Sequence, residues 1–340
     1  MTHPTLSDLG WTARHAAQLA EGEDPARAAR ITTVARSRLR ALSPDGPLSL
    51  LAPPDQRTSD FATGDWILTD PERTMATRRL ERETLLQRRG AGESHTAQLI
   101  AANVETLAIV TSCNADYNEA RLERYLALAS SAGCLPLIVL TKPDMSDAAD
   151  DYLNRANRLS PLADAIAVNA KADDAAETLK TWAGPGQTLA LVGSSGVGKT
   201  TLANALTGGD AATAGIREDD ARGRHTTTAR GLARTRFGGW LIDTPGMRAI
   251  SLNDAADGIG AVFADIETLA ESCRFRDCAH ETEPGCAVQD AIGRGEIDAA
   301  RLARYTKLSR EDALNSVATD QGRPRGQGPR KKPGRRNTGA

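Results

Sequence analysis

Hydrophobic and polar positions alternate in three different rhythms along this 340-residue chain. Residues 1–28 read as a short helical arm built on Leu9-Gly10-Trp11 and an alanine-rich run. Over 29–98, apolar runs such as Ile31 to Ala35, Leu48 to Ala52 and Trp66 to Thr69 are cut by turns rich in Pro, Gly and Asp. Short runs at that spacing predict a small β-barrel or sandwich. From about residue 99 the apolar runs shorten to three or four residues: Leu107 to Val110, Leu137 to Leu140, Ile166 to Val168, Leu189 to Val192 and Trp240 to Ile242. These have the length of strands buried on both faces. Helical stretches separate them. In Glu119 to Ser131, for example, Leu122, Tyr125, Leu126 and Leu128 fall near one face. Strand–helix alternation of this kind predicts a doubly wound α/β sheet. After about Ser251 only helical patterns remain.

Composition adds two constraints. Apolar residues are 40% and charged residues 25% of the chain, which excludes wholesale disorder, and no run is long enough for a membrane-spanning helix. The start lacks the basic and apolar regions of a signal peptide, so a cytoplasmic location is expected, where clustered cysteines bind metal more often than they pair. The net charge of −2 hides an asymmetry: residues 322–340 carry seven basic residues and no acid, which leaves 35 basic against 44 acidic in the rest. An acidic body with a basic tail points to a polyanionic partner or to a merely solvated end.

Three motifs carry chemistry. Gly193-Ser194-Ser195-Gly196-Val197-Gly198-Lys199-Thr200 fits G-x-x-x-x-G-K-[ST], between an apolar strand and a helix that begins near Thr201. Its glycines allow successive N–H groups to face phosphate oxygens, Lys199 reaches the β- and γ-phosphates, and the Thr200 hydroxyl binds Mg²⁺. Asp243-Thr244-Pro245-Gly246 follows a strand about fifty residues later. Asp243 is placed to hold Mg²⁺ through water and Gly246 to offer an N–H to the γ-phosphate. Thr141-Lys142-Pro143-Asp144 also follows a strand. The Asp144 carboxylate can accept two hydrogen bonds from the N1–H and N2–H edge of guanine, a pair that adenine lacks, while the Lys142 stem lies along the base. Asn169-Ala170-Lys171, after another strand, is a candidate for a backbone N–H to guanine O6. One of Thr226, Thr227 and Thr228 is expected to close over Mg²⁺ and the γ-phosphate.

Cys273, Cys278, His280 and Cys286 offer three thiolates and an imidazole within fourteen residues, a complete tetrahedral set for one structural zinc ion. Cys113 and Cys134 adjoin apolar strands and read as core. Arg73, Arg78, Arg79, Arg82, Arg88 and Arg89 form a candidate RNA patch in the β-domain, although the interleaved Glu72, Glu81 and Glu83 leave a solvated, ion-paired face as the alternative.

The guanine-reading elements precede the phosphate loop, an order rotated relative to an ordinary GTPase. Such rotation is allowed because domain termini often lie close together. With an N-terminal β-domain and a C-terminal Cys/His cluster, the chain resembles the RsgA family of circularly permuted GTPases. Further matches are Gly64-Asp65-Trp66, Gln98-Leu99-Ile100-Ala101-Ala102-Asn103, Arg121-Leu122-Glu123-Arg124-Tyr125-Leu126 and Gly223-Arg224-His225-Thr226-Thr227-Thr228. The resemblance covers roughly residues 9–310. It implies an OB-like barrel at 29–98, a permuted P-loop GTPase domain at 99–252 and a mostly helical zinc domain at 253–318; the basic tail at 319–340, expected to be disordered, is not part of the family's motifs. It further implies a monomer that binds GTP, GDP, the 30S subunit and 16S rRNA but no membrane, and that hydrolyses GTP when stimulated by the 30S subunit. Two positions depart from the family pattern: the guanine motif takes its Thr form, and Asn169 stands where Ser is commoner. Met247 follows Gly246, where many GTPases carry a water-orienting Gln, so His225 becomes the candidate for that role. Two other readings stay open: a P-loop kinase or ATPase, which has no need of Asp144, and a non-catalytic RNA-binding scaffold.

Overall fold

The computed structural model describes residues 4–89, 97–209, 231–243 and 255–320. His225, the threonines at 226–228, Gly246, Met247 and residues 321–340 of the basic tail lie outside these residues. The N-terminal arm is helical only at α1 (Ala13–Ala16), followed by a 3-10 turn at Pro25–Arg27 that Asp24 caps through the Ala26 N–H. Then come β1 (Ala28–Val34), β2 (Leu39–Ser43), β3 (Gly46–Leu50), β4 (Trp66–Thr69) and β5 (Ala76–Arg79), in the sheet order β3-β2-β1-β4-β5 with antiparallel neighbours. A bridge between Leu51 and Met75 joins the two edges and closes the sheet on itself. Alternate residues point inward: Ala29, Ile31, Leu39, Ala41, Leu50, Phe61 and Ile67 fill the barrel.

A hairpin of β6 (Leu85–Arg89) and β7 (Ala97–Ala102) leads from the barrel into the second unit, so β7 runs across residue 98. There β8 (Thr106–Ser112), β9 (Leu135–Thr141), β10 (Asp164–Val168), β11 (Thr188–Gly193), β12 (Gly231–Arg234) and β13 (Trp240–Asp243) form a six-stranded sheet, order β10-β9-β8-β11-β13-β12. All neighbours are parallel except the edge strand β12. Successive residues divide between two cores. Leu107, Ile109, Ile138, Leu140, Ala190 and Val192 pack on one face, and Ala108, Val110, Leu137, Val139, Leu189 and Leu191 on the other. That division explains why these strands are apolar without alternation: both faces are covered. The helices of this unit are α2 (Glu119–Ser131), α3 (Ala149–Asn157), the short α4 (Ala175–Thr178) and α5 (Lys180–Ala183), and α6 (Lys199–Thr207). After β10 the chain crosses β9 and β8 to form β11, so the strand order reverses between β8 and β11. In such sheets ligands bind outside the carboxyl ends of the strands at that reversal.

The C-terminal unit is α7 (Ala256–Val262), α8 (Ala264–Ala270), α9 (Ala287–Gly293) and α10 (Ala299–Asp320). Gly258 lets α7 lie against α2, since a Cβ there would come within 2.3 Å of the Ala127 carbonyl oxygen. Helix α10 is fixed to α2 by Glu123, which is buried and accepts from Arg301 at 3.1 Å and Arg304 at 2.7 Å. Arg301 also bonds Asp265, so one charge network holds α2, α8 and α10 together.

Candidate nucleotide and metal sites

Glycine chemistry shapes the phosphate loop. Gly193 ends β11 with φ +138°, and a Cβ there would lie 2.0 Å from the Val110 carbonyl oxygen on β8, so no side chain fits. Gly196 and Gly198 also take positive φ, and α6 begins at Lys199. Val197 turns inward and anchors the loop in the core below, while Ser195, Gly196 and Thr200 are exposed at the carboxyl edge of the sheet. The Lys199 ammonium donates to the carbonyls of Gly193, at 2.9 Å, and Ser194. The start of α6 thus lies at the edge where an anion would sit.

The Thr141-Lys142-Pro143-Asp144 loop leaves β9 beside this one. The Thr141 hydroxyl is fully buried, 2.6 Å from the Val197 carbonyl oxygen and 3.0 Å from that of Thr111. It therefore ties the two loops together, which is a different task from touching a base. Lys142 takes the left-handed conformation at φ 57° and donates from Nζ to the Gly196 carbonyl at 2.9 Å. Asp144 sits in the 3-10 turn Pro143–Met145 and is exposed on the same edge. β10 ends one strand further out, with Val168 in register with Thr141. Asn169 accepts the Lys171 N–H at 3.1 Å through Oδ1, so its side chain shapes its own loop. On the other side of the phosphate loop, Asp243 ends β13 in register with Leu191. Burial pushes its carboxyl up from the usual range, and the Lys199 ammonium opposes that rise. Thr141, Val168, Gly193 and Asp243 close four strands at one edge. The loop-to-loop hydrogen bonds of Thr141 and Lys142 are what the motifs alone did not reveal.

The second site lies between α8 and α9. Cys273, Cys278, His280 and Cys286 bring their donor atoms within 4.8 Å of one another. Cys273 Sγ is 3.9 Å from Cys286 Sγ, and His280 Nδ1 lies 3.6 and 3.4 Å from the same two sulfurs. A tetrahedron with metal–sulfur bonds of ~2.3 Å has edges of about 3.8 Å, so this set fits zinc. The supports are local. Glu283 accepts N–H groups of Ala279, Glu281 and Thr282, and Gln289 donates to the His280 carbonyl at 2.5 Å. Cys286 caps α9 through the Gln289 N–H, and His280 takes φ 58°. Burial raises the Cys273 thiol, but N–H groups of Val288 and Ala287 outweigh it and hold the thiol below its usual range. Burial pushes the Cys278 thiol up to about 11. The other two cysteines, Cys113 and Cys134, are buried in the core as expected.

Three arginines of the barrel's arginine-rich stretch are ion-paired and a fourth is hydrogen-bonded. Arg73 pairs with Asp45, Arg78 with Glu23, and Arg82 with Asp65, and Arg88 donates to Gln98 at 2.8 Å. The acids come from elsewhere in the chain, Glu23 from 55 residues away, rather than from the neighbouring Glu72 and Glu81.

A phosphate loop reached only after the Thr141-Lys142-Pro143-Asp144 loop, both on the reversal edge of one largely parallel sheet, has the order of a circularly permuted P-loop GTPase. Comparison with known proteins agrees. The RsgA GTPase family model matches residues 79–253. The small ribosomal subunit biogenesis GTPase RsgA of Mesorhizobium japonicum is 49% identical over 327 residues, 95% of this chain and 94% of that protein. RsgA 2 of Vibrio vulnificus is 45% identical over 314 residues, 92% and 89% of the respective chains. Among solved structures, YjeQ from Thermotoga maritima superposes with a TM-score of 0.62 at 23% identity, covering 84% of this chain and 98% of that one. YloQ, described as a circularly permuted GTPase, superposes with a TM-score of 0.60 at 20% identity, covering 90% and 99%. The chain belongs to the RsgA GTPase family.

Proposed function

We propose that this GTPase acts in biogenesis of the small ribosomal subunit, binding the 30S particle through 16S rRNA and hydrolysing GTP faster in its presence. The observation that carries the nucleotide half is the joining of the guanine and phosphate loops by Thr141 and Lys142 at one sheet edge. The ribosomal half is supported by what the relatives are named for. Among the described residues no helix is long and apolar enough to cross a membrane, and a cytoplasmic monomer with no membrane partner is the reading adopted. The division into barrel, GTPase unit, zinc unit and basic tail, at the limits given above, belongs to the same proposal.

In this mechanism Asp144 accepts the N1–H and N2–H of guanine, and an N–H of the Asn169-Ala170-Lys171 loop meets O6. The N–H groups from Gly193 to Thr201 and the Lys199 ammonium hold the phosphates, which offsets charge as the γ-phosphoryl leaves. Thr200 and Asp243 fit Mg²⁺, which supplies further charge neutralisation when bound. One of Thr226, Thr227 and Thr228 with Gly246 completes the γ-phosphate shell, and His225 orients the attacking water. Cys273, Cys278, His280 and Cys286 hold zinc in a structural role. Competition of GTP and ATP for a fluorescent guanine nucleotide tests the nucleotide half: GTP should displace it and ATP should not. Co-sedimentation with purified 30S subunits tests the other half, and failure to sediment with them in any nucleotide state refutes it.

A further inference from the structure

Among the described residues Arg30 is the largest charged side chain to be fully buried, and nothing in the mechanism above uses it. It projects from β1 of the barrel and ends in a seam between units. Nη1 donates to the Leu9 carbonyl at 2.8 Å. Nη2 donates to the Asn103 carbonyl at 3.0 Å and to Thr188 Oγ1 at 2.7 Å. One guanidinium thus binds the N-terminal arm, the entry to the GTPase unit and the first residue of β11, the strand that runs into the phosphate loop. Arg is suited to this because its planar fork offers donors in several fixed directions.

The surroundings are built to keep it there. Gly10, at φ +91°, leaves room that a Cβ would close to 2.8 Å from Nη1. Glu105, itself half-buried, accepts the Thr188 N–H at 2.6 Å and supplies the nearby negative charge. Trp66 lies under the guanidinium with its centroid 5.8 Å away, packed in turn on Trp11 and His15. Gly64 fits against the Ala102 carbonyl oxygen, and the buried Asn103 donates to the Gly64 carbonyl at 3.0 Å. Beside Leu9, the Asp8 carbonyl accepts the Trp240 indole N–H at 2.8 Å, and Trp240 is the first residue of β13, which ends at Asp243. The Gly64-Asp65-Trp66 and Asn103 motifs and the Leu9-Gly10-Trp11 arm therefore meet in one clasp. The clasp roots both strands that carry phosphate-side residues, yet Thr188 stands five residues from Gly193, roughly 17 Å along the strand, too far to touch nucleotide.

We propose that Arg30 is a positioning residue for partner-stimulated hydrolysis: its buried clasp fixes the barrel against the roots of β11 and β13, so that a partner touching both barrel and nucleotide edge meets them in one set geometry. This rests on the reading that a ribosomal particle stimulates the enzyme. The physical reason is preorganisation. A rigid two-point surface loses little freedom on docking, whereas a loose joint must be ordered at the moment of binding.

The test uses the full-length, zinc-loaded protein and purified 30S subunits, with Arg30→Met, Arg30→Lys and Thr188→Val. Basal kcat and KM for GTP, the 30S-stimulated rate, and small-angle scattering of the free protein are measured. In Arg30→Met the basal constants should stay within about twofold, as for a change remote from the site. The stimulated rate should fall about tenfold, the scale of ordinary coupling between sites, and the maximum dimension in scattering should grow. Arg30→Lys, which keeps the charge but not the fork, should fall between. Thr188→Val removes one acceptor with nearly the same shape and should show the same split more weakly; it carries the test if Arg30→Met does not fold. Full stimulation in both Arg30→Met and Thr188→Val overturns the inference, as does a parallel fall of basal and stimulated rates, which marks a stability role alone. Wild-type protein that 30S subunits do not stimulate refutes the ribosomal reading and this inference with it, and shows before any variant is compared.

Discussion

Thr141→Val separates a loop tether from a base contact. The Thr141 hydroxyl is fully buried and lies 2.6 Å from the Val197 carbonyl oxygen and 3.0 Å from that of Thr111, with no nucleotide needed for either contact. Valine keeps the branched shape, so the loss is polar. Its one proton serves one bond at a time, worth about 1 kcal/mol net, and the stranded carbonyl adds a desolvation cost of about 1–3 kcal/mol that relaxation recovers in part. A loss of about 1–2 kcal/mol is expected in the nucleotide-free protein. At roughly 2–4 °C per kcal/mol for a unit of this size, its melting temperature should drop by several degrees. Affinity for GTP and GDP should fall together by about tenfold, because the phosphate loop is no longer held against β9. Differential scanning calorimetry without nucleotide reads the first effect and titration calorimetry the second. An unchanged melting temperature in the nucleotide-free variant, with weakened GTP binding, would place the hydroxyl on the base and refute the tether.

Asp144→Ala should weaken GTP and GDP binding by several kcal/mol with little effect on folding, read by nucleotide titration, and Asp144→Asn should shift preference toward xanthine nucleotides. Zinc should be present near one per chain, and replacing Cys286 should unfold mainly the residues beyond about 255, as followed by elemental analysis and hydrogen exchange. His225→Ala should keep GTP and 30S binding and basal turnover but lose most of the stimulated rate; equal stimulation of variant and wild type removes His225 from the mechanism. Burial holds the His15 imidazole down at about 4, against about 6.5 when unfolded. The folded state therefore favours neutral His15: its contribution is complete above pH 6.5 and is lost as pH falls toward 4. A denaturation series over that range should show a shallower slope for His15→Gln.

Most of what was legible was contiguous. The runs that became β8, β9, β11 and β13 carry apolar residues on both faces, and the phosphate loop and zinc set are complete within short segments. β12 was not legible because Gly231–Arg234 is a short, partly exposed antiparallel edge with no continuous apolar run. The partners of the arginine row were not legible because Glu23, Asp45 and Asp65 approach only after the barrel closes. Arg30 gave no signal, since burial of a lone arginine depends on three acceptors from distant segments. Thr141 is legible only as the Thr form of the guanine motif; its tether to Val197 is a distance between loops, which spacing does not encode.

The central claim is a GTPase whose turnover depends on the small ribosomal subunit, and GTP hydrolysis measured with and without purified 30S subunits, with ATP as the control nucleotide, tests it most directly. Hydrolysis of GTP alone should be slow, 30S subunits should accelerate it greatly, and ATP should not turn over in either condition. Equal GTP rates with and without 30S subunits, or ATP hydrolysed as readily as GTP, would contradict it.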